Sequence, residues 1–251
     1  MTFVLLLLAF APVPSVRLNP QTVKEFKAYM EVADRSMNQR ATDKTRLSLP
    51  PGGEPRITPW EPNGPRELTD GLVHDWIAAS FIPNAKVADV VAVLQDYAHY
   101  REIYQPDVMA TRLISQSGDK RKVVLRALKK KVITVILDID YDVEYRTLPN
   151  GRVQVWSRSA SIREVDNAGK PDESLGAPDK GSGFLWLLNT YWQLEDRDGG
   201  VYMECRAISL TRDIPMAVSW IVKPMVTALP RESLTNTLAF TRAAVEARIK
   251  R

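Results

Sequence analysis

Along residues 129–146 the chain alternates between two kinds of side chain. Every second residue of 133–145 is apolar or aromatic, and the interleaved residues of 138–144 are acidic. A period of two is that of a β-strand with one buried face. Burying each large apolar side chain is worth about 1.5–3 kcal/mol, which forces that face inside. The pattern predicts a long strand with an apolar inner face and an acidic, solvated outer face.

Further segments with strand character precede and follow this strand. Asn150-Gly151 and Asp198-Gly199-Gly200 separate neighbouring segments, and such Gly-containing sequences favour tight hairpin turns. Strands consecutive in sequence and joined by short turns form an antiparallel sheet. The strands are predicted at residues 72–82, 108–116, 122–128, 133–145, 153–165, 183–196 and 201–212.

Helical periodicity frames these strands. A helix is predicted at residues 20–40, after the capping residue Asn19, and another at residues 86–104, which carry apolar residues on one side. Residues 216–249 are also predicted to be helical, with Pro224 bending or ending the first part. Residues 50–65 contain six prolines, which favour a loop. The C-terminal helix is the only segment long and apolar enough to cover the sheet, so one sheet face is expected to be covered and the other solvated.

Composition limits the chemistry. The 251 residues carry a net charge of +4 with mixed signs along most of the chain, without the basic stripes of nucleic-acid binders. A single cysteine excludes an intramolecular disulfide, and the two histidines and one cysteine show no metal-ligand spacing. We expect no nucleic acid, metal or cofactor.

The N-terminus begins with an apolar block over residues 3–11, followed by Val13-Pro14-Ser15. This length and the compact residues favour a signal peptide over residues 1–15 and a periplasmic or secreted protein, although no basic residue precedes the block. A mis-assigned start or a short buried segment in a cytoplasmic protein is the alternative. The remaining chain divides into an N-terminal helix (16–42), a Pro-rich linker (43–70) and one domain (71–251).

Two stretches carry a family resemblance. WIAASFIPNAKVADVVAVLQDYAHYREIY (76–104) and GFLWLLNTYWQLEDRDGGVYMECRAISLTRDIP (183–215), followed by the helix MAVSWIVKPMVTALPRESLTNTL, resemble the START/Bet v 1-like (SRPBCC) superfamily, in particular bacterial coenzyme-Q-binding-type START domains. The resemblance covers about residues 71–248. It implies an α+β helix-grip fold, in which a curved antiparallel sheet wraps around a long C-terminal helix and encloses a hydrophobic cavity. Members bind lipids, sterols, quinones or polyketides, and some are enzymes.

The expected function is non-catalytic binding or carriage of a hydrophobic small molecule or lipid in this cavity. Apolar walls with a few polar groups are typical of such pockets. The predicted lining consists of Ile133, Val135, Leu137, Ile139, Tyr141, Trp186, Leu188, Trp192, Met203, Met216, Trp220 and Met225. Its candidate polar groups are Thr190, Ser209, Thr211, Ser157, Ser159 and Ser161, with small hydroxyls in a crowded sheet as the alternative interpretation.

The alternative function is that of a cyclase or hydrolase that uses the same cavity. A general acid or base would have to lie inside the cavity, and the sequence contains no GxSxG, HExxH or paired-carboxylate motif. The candidates are His74, His99, Tyr141, Asp142 and Arg158.

Three other features have plainer interpretations. The acidic ladder at 138–144 could suggest calcium, but carboxylates projecting from one strand favour pairing with Lys and Arg on the next strand. Cys205 is predicted to be a small buried hydrophobe. Residues 216–225 could touch a membrane transiently, with core packing as the default.

Overall fold

The computed structural model describes residues 14–43, 46, 49, 55–130, 134–213 and 219–250, the last range without the side chains of 219–227. The described elements are β1 (Val16–Arg17), α1 (Pro20–Thr42), β2 (Arg56–Pro59), β3 (Arg66–Leu68), β4 (Gly71–Pro83), α2 (Val87–Leu94), a 3₁₀ turn (Tyr97–His99), α3 (Tyr100–Ile103), β5 (Val108–Ser117), β6 (Lys120–Lys130), β7 (Thr134–Thr147), β8 (Val153–Asp166), β9 (Ser174–Leu175), β10 (Lys180–Gly181), β11 (Leu187–Arg197), β12 (Gly200–Arg212) and α4 (Ser219–Ile249).

One large antiparallel sheet organises the chain. Its strand order is β2-β4-β12-β11-β8-β7-β6-β5, with β3 also paired to β4 and β9 to β8. The first long strand therefore pairs with the last, and the meander from β5 to β8 extends the sheet away from them. Helix α4 packs on the inner face through buried residues such as Leu234, Leu238 and Val245. The predicted α+β helix-grip fold is confirmed.

Part of the outer face of the sheet is also covered, which corrects the expectation that this whole face is solvated. Helix α1 buries Phe26, Ala33 and Met37 against outer side chains of the sheet, among them Trp156 and Tyr191. The sheet thus has a helix on each face.

Polar side chains also hold α1 against the sheet. Arg40 near its C-terminus donates two hydrogen bonds of 2.6 and 2.8 Å to the fully buried carboxylate of Glu204 on β12. Tyr29 donates to Asp75, which also accepts from the buried Arg206. Hydrogen bonds of this kind compensate the cost of placing charged groups between two apolar layers.

Strand β7 has the two faces that its alternation predicts. Leu137 and Ile139 are buried on the inner side, whereas outer carboxylates pair with cations of the neighbouring strand. Asp138 accepts two hydrogen bonds from the Arg126 guanidinium at 2.7 and 2.9 Å, and Asp142 pairs with Lys122. The acidic ladder therefore opposes basic side chains, as expected.

Three helix and loop predictions differ from the structure. The helix expected at 86–104 is divided into α2, a 3₁₀ turn and α3. The segment 43–70 contains β2 and β3, both paired with β4. Helix α4 continues through Pro224 and Pro230 without interruption.

Two features concern a membrane-spanning or exported protein: the helices that the structure describes and the apolar N-terminal block. No helix among the described residues combines the length and apolarity needed to cross a bilayer. The apolar block at 3–11 lies outside the described residues, so the signal peptide and export remain predictions.

Candidate functional site

A cavity of about 310 Å³ lies between the inner face of the sheet and α4. Elsewhere on this face, Met203 and Leu194 are completely buried in the core together with Leu238 of α4. Protein interiors are close-packed and contain few voids larger than a water molecule. A gap of this size is therefore a specific feature of the space between sheet and helix.

Apolar side chains of β6, β7 and β11 form most of the sheet wall. On β7 the wall uses the alternate residues from Val135 to Tyr145. Helix α4 forms the opposite wall with residues that recur at about one helical turn: Leu229, Pro230, Ser233, Leu234, Thr237 and Phe240.

Tyrosines close the cavity beside α2 and α3. Tyr97 and Tyr145 share a hydrogen bond of 2.9 Å between their hydroxyls, and Tyr145 also donates to the Leu94 carbonyl. The rings of Tyr100 and Tyr104 meet edge to face at 4.9 Å. Desolvation raises the pKa of each of these four phenols, so they are neutral where they line the cavity.

Hydroxyl groups interrupt the apolar wall on three adjacent strands. Ser157 of β8 lies directly opposite Thr190 of β11, and Ser209 of β12 lies diagonally across from Thr190. All three line the cavity, and the Ser209 Oγ is buried without a hydrogen-bond partner in the described chain. Thr211, the next inward residue of β12, also lines the cavity and contacts the Nε2 of His74 at 3.2 Å.

Half of the predicted apolar lining lies at the cavity. The six residues that line it are Val135, Leu137, Ile139, Tyr141, Leu188 and Trp192. They come from β7 and β11, where the period of two predicts the inward side correctly. Ligand binding by these residues remains a prediction.

Two predicted lining residues lie away from the cavity. Trp186 packs on the outer face with Phe26 and Met37 of α1 and their buried neighbours. Residues 182–186 precede β11 and do not follow its alternation, so the strand pattern does not apply to Trp186. Met203 points inward but is completely buried in the packed part of the core, outside the cavity lining.

Four predicted residues cannot be placed. Ile133 and Met216 lie outside the described residues, and the side chains of Trp220 and Met225 on α4 are also outside them. The possible membrane contact at 216–225 therefore remains a prediction.

A β-bulge explains why Ser161 does not join the other hydroxyls. The pairing of β7 with β8 shifts between Asp140 and Tyr141, which reverses the alternation of β8 beyond Ser159. Ser161 consequently donates to Asp140 on the outer face. Ser159 accepts the backbone N–H of Leu188 at 2.8 Å and does not line the cavity.

The candidate acid and base groups are not gathered in one site. His74 is buried on the inner side, where desolvation lowers its pKa to about 4, and its side chain contacts Thr211. His99 is exposed beside Asp96, whose hydrogen bond raises the pKa of the imidazole. Asp142 and Arg158 lie on the outer face in ion pairs.

Tyr141 and Cys205 are the remaining candidates for chemistry at the cavity. Desolvation raises the pKa of both, which keeps the phenol and the thiol protonated. Cys205 is a small buried side chain in the lining, and the negative charge of Glu204 raises its pKa further. Neither group is therefore activated as a base or nucleophile.

Sequence reasoning missed part of the lining. Tyr97, Tyr100 and Tyr104 recur at helical spacing, which is a signal that they share one side. Phe184 and Leu185 lie in the irregular segment before β11, where no periodicity indicates which way a side chain points.

Comparison with solved structures supports the fold. One similar structure is a STAR-related lipid transfer protein fragment from Xanthomonas axonopodis. The match covers 72% of this chain and 96% of that fragment, at 18% sequence identity and a TM-score of 0.51. Another is the human StarD13 lipid transfer and protein localization domain. That match covers 86% of this chain and 95% of the domain's own chain, at 9% sequence identity and a TM-score of 0.50. No protein-family model matches the chain, and no curated protein sequence matches it. The chain thus has the START/Bet v 1-like fold that its sequence predicts.

Proposed function

We propose that this protein binds a hydrophobic small molecule or lipid in the cavity between the sheet and α4, without chemical conversion. The observation that carries the proposal is an apolar cavity of about 310 Å³ between the inner face of the sheet and α4. Removing apolar ligand surface from water contributes about 25 cal/mol per Å² before the costs of association.

The arrangement of charges supports binding without catalysis. The charged residues among the described lining are Asp107 and Lys129, which pair with each other at 3.4 Å and are partly exposed. A reaction that moves protons would require a titratable group poised near neutral pH beside the ligand. His74, Tyr141 and Cys205 all have pKa values displaced away from neutrality.

Titration with diphenylhexatriene, a hydrocarbon that fluoresces in apolar surroundings, tests the proposal. Wild type should give saturable fluorescence, and Ala207→Phe should weaken binding about tenfold or more because the added ring enters the cavity. Ala110→Phe on β5 is the matched control, since Ala110 is exposed and outside the lining. Circular dichroism checks that each variant is folded. Equal binding by all three folded proteins would refute a site in the cavity.

A further inference from the structure

The hydroxyl row, formed by Ser157, Thr190 and Ser209, is the most distinctive polar feature of the cavity. These residues occupy neighbouring inward positions on β8, β11 and β12. Directly opposed side chains have Cβ atoms about 4.5–5.5 Å apart, and diagonal neighbours are about 7–8 Å apart. One ligand oxygen can therefore reach two of the three hydroxyls.

The buried hydroxyl of Ser209 indicates that a partner belongs there. Ser209 is 6% exposed, and its Oγ has no hydrogen-bond partner in the described part of the chain. Leaving a buried polar group unpaired is unfavourable, so native proteins pair most of them. Because Ser209 lines the cavity, a ligand oxygen there would satisfy this hydroxyl.

The charges around the cavity indicate that this oxygen belongs to a neutral group. Lys129 is already paired with Asp107, and no other cation lines the cavity among the described residues. His74 beside Thr211 is uncharged near neutral pH because its desolvation lowers the pKa to about 4. A buried carboxylate or phosphate would therefore lack a compensating charge among the described lining residues.

We propose that the ligand is a neutral apolar molecule whose hydroxyl or carbonyl oxygen binds the hydroxyl row. This inference rests on the proposed binding function and narrows its ligand class. A serine or threonine hydroxyl both donates and accepts, so the row can bind either an alcohol or a ketone.

Competition against diphenylhexatriene with three ten-carbon compounds tests the ligand class. In wild type, the affinity for 1-decanol and for 2-decanone should each be at least about tenfold higher than the affinity for decanoate, because only decanoate carries a charge that the cavity would have to desolvate. Equal or tighter binding of decanoate would overturn the inference. Failure of diphenylhexatriene and every ten-carbon compound to bind folded protein would instead overturn the proposed function.

Variants that remove single hydroxyls test the row itself. Ser209→Ala and Thr190→Val should each weaken 1-decanol binding about two- to tenfold more than they weaken diphenylhexatriene binding, because only 1-decanol has an oxygen that can use the hydroxyls. Ser80→Ala is the matched control, because Ser80 is also buried with an Oγ that has no hydrogen-bond partner among the described residues, but it does not line the cavity. Unchanged 1-decanol affinity in both row variants would overturn the inference.

Discussion

Replacing Arg206 by methionine should strongly destabilise the protein. Arg206 is 2% exposed between the sheet and α1, and its guanidinium donates to Asp75 at 2.9 and 2.5 Å. It also donates to Ser36 at 2.8 Å and lies 3.7 Å from the centre of the Trp60 ring. Methionine keeps much of the volume but removes every one of these polar contacts.

The expected cost is about 3–5 kcal/mol, because the substitution leaves the buried carboxylate of Asp75 without its cation. The free energy of unfolding should be measured by urea denaturation followed by circular dichroism. Arg206→Met combined with Asp75→Leu should recover about half of the loss or more, since no buried charge of this pair then remains. Part of the loss persists because Tyr29, which donates to Asp75, loses its acceptor.

An exposed ion pair provides the control. The side chains of Lys122 and Asp142 are 68% and 57% exposed, so Lys122→Met should change stability by less than about 0.5 kcal/mol. A cost below about 1 kcal/mol for Arg206→Met, or an equal cost for Lys122→Met, would refute the buried-pair reasoning.

Three further perturbations test the packing and the buried titratable groups. Phe26→Ala on α1 should lower the free energy of unfolding, measured by urea denaturation, by about 3–5 kcal/mol, whereas Val32→Ala on the exposed side of the helix should lower it by less than about 0.5 kcal/mol. Similar losses in the two variants would contradict the packing of α1 against the sheet. Burial lowers the pKa of His74, so the unfolded chain binds a proton there at a higher pH than the folded chain does. When the pH falls from about 7.5 to about 5, the free energy of unfolding of wild type should therefore drop by about 2 kcal/mol more than that of His74→Gln, and parallel pH profiles would contradict this. Cys205 should react with iodoacetamide about a hundredfold faster in urea than in the folded protein, and equal rates would contradict its burial.

Much of the sheet could be predicted because its strands alternate clearly. The odd residues of β7 face inward from Val135 to Tyr145, and Asp198 with Gly199 marks the β11–β12 hairpin. In such strands, burial on one face and turn chemistry specify the register together.

The outer cover and the bulge could not be predicted in the same way. Strand alternation does not indicate which helix covers which face, so the pattern leaves the partner of α1 open. The bulge that turns Ser161 outward changes the pattern by a single residue, and Trp186 lies where no alternation exists. The size of a cavity depends on whether opposing side chains meet, which no local pattern specifies.

Methyl NMR of isoleucine- and leucine-labelled protein during titration with 1-decanol tests the central claim most directly. The account predicts shifts at Leu137, Ile139 and Leu188, which line the cavity, with little change at Ile208 and Leu210 on the outer face. Shifts confined to Ile208 and Leu210, or no shifts at saturating ligand, would contradict it.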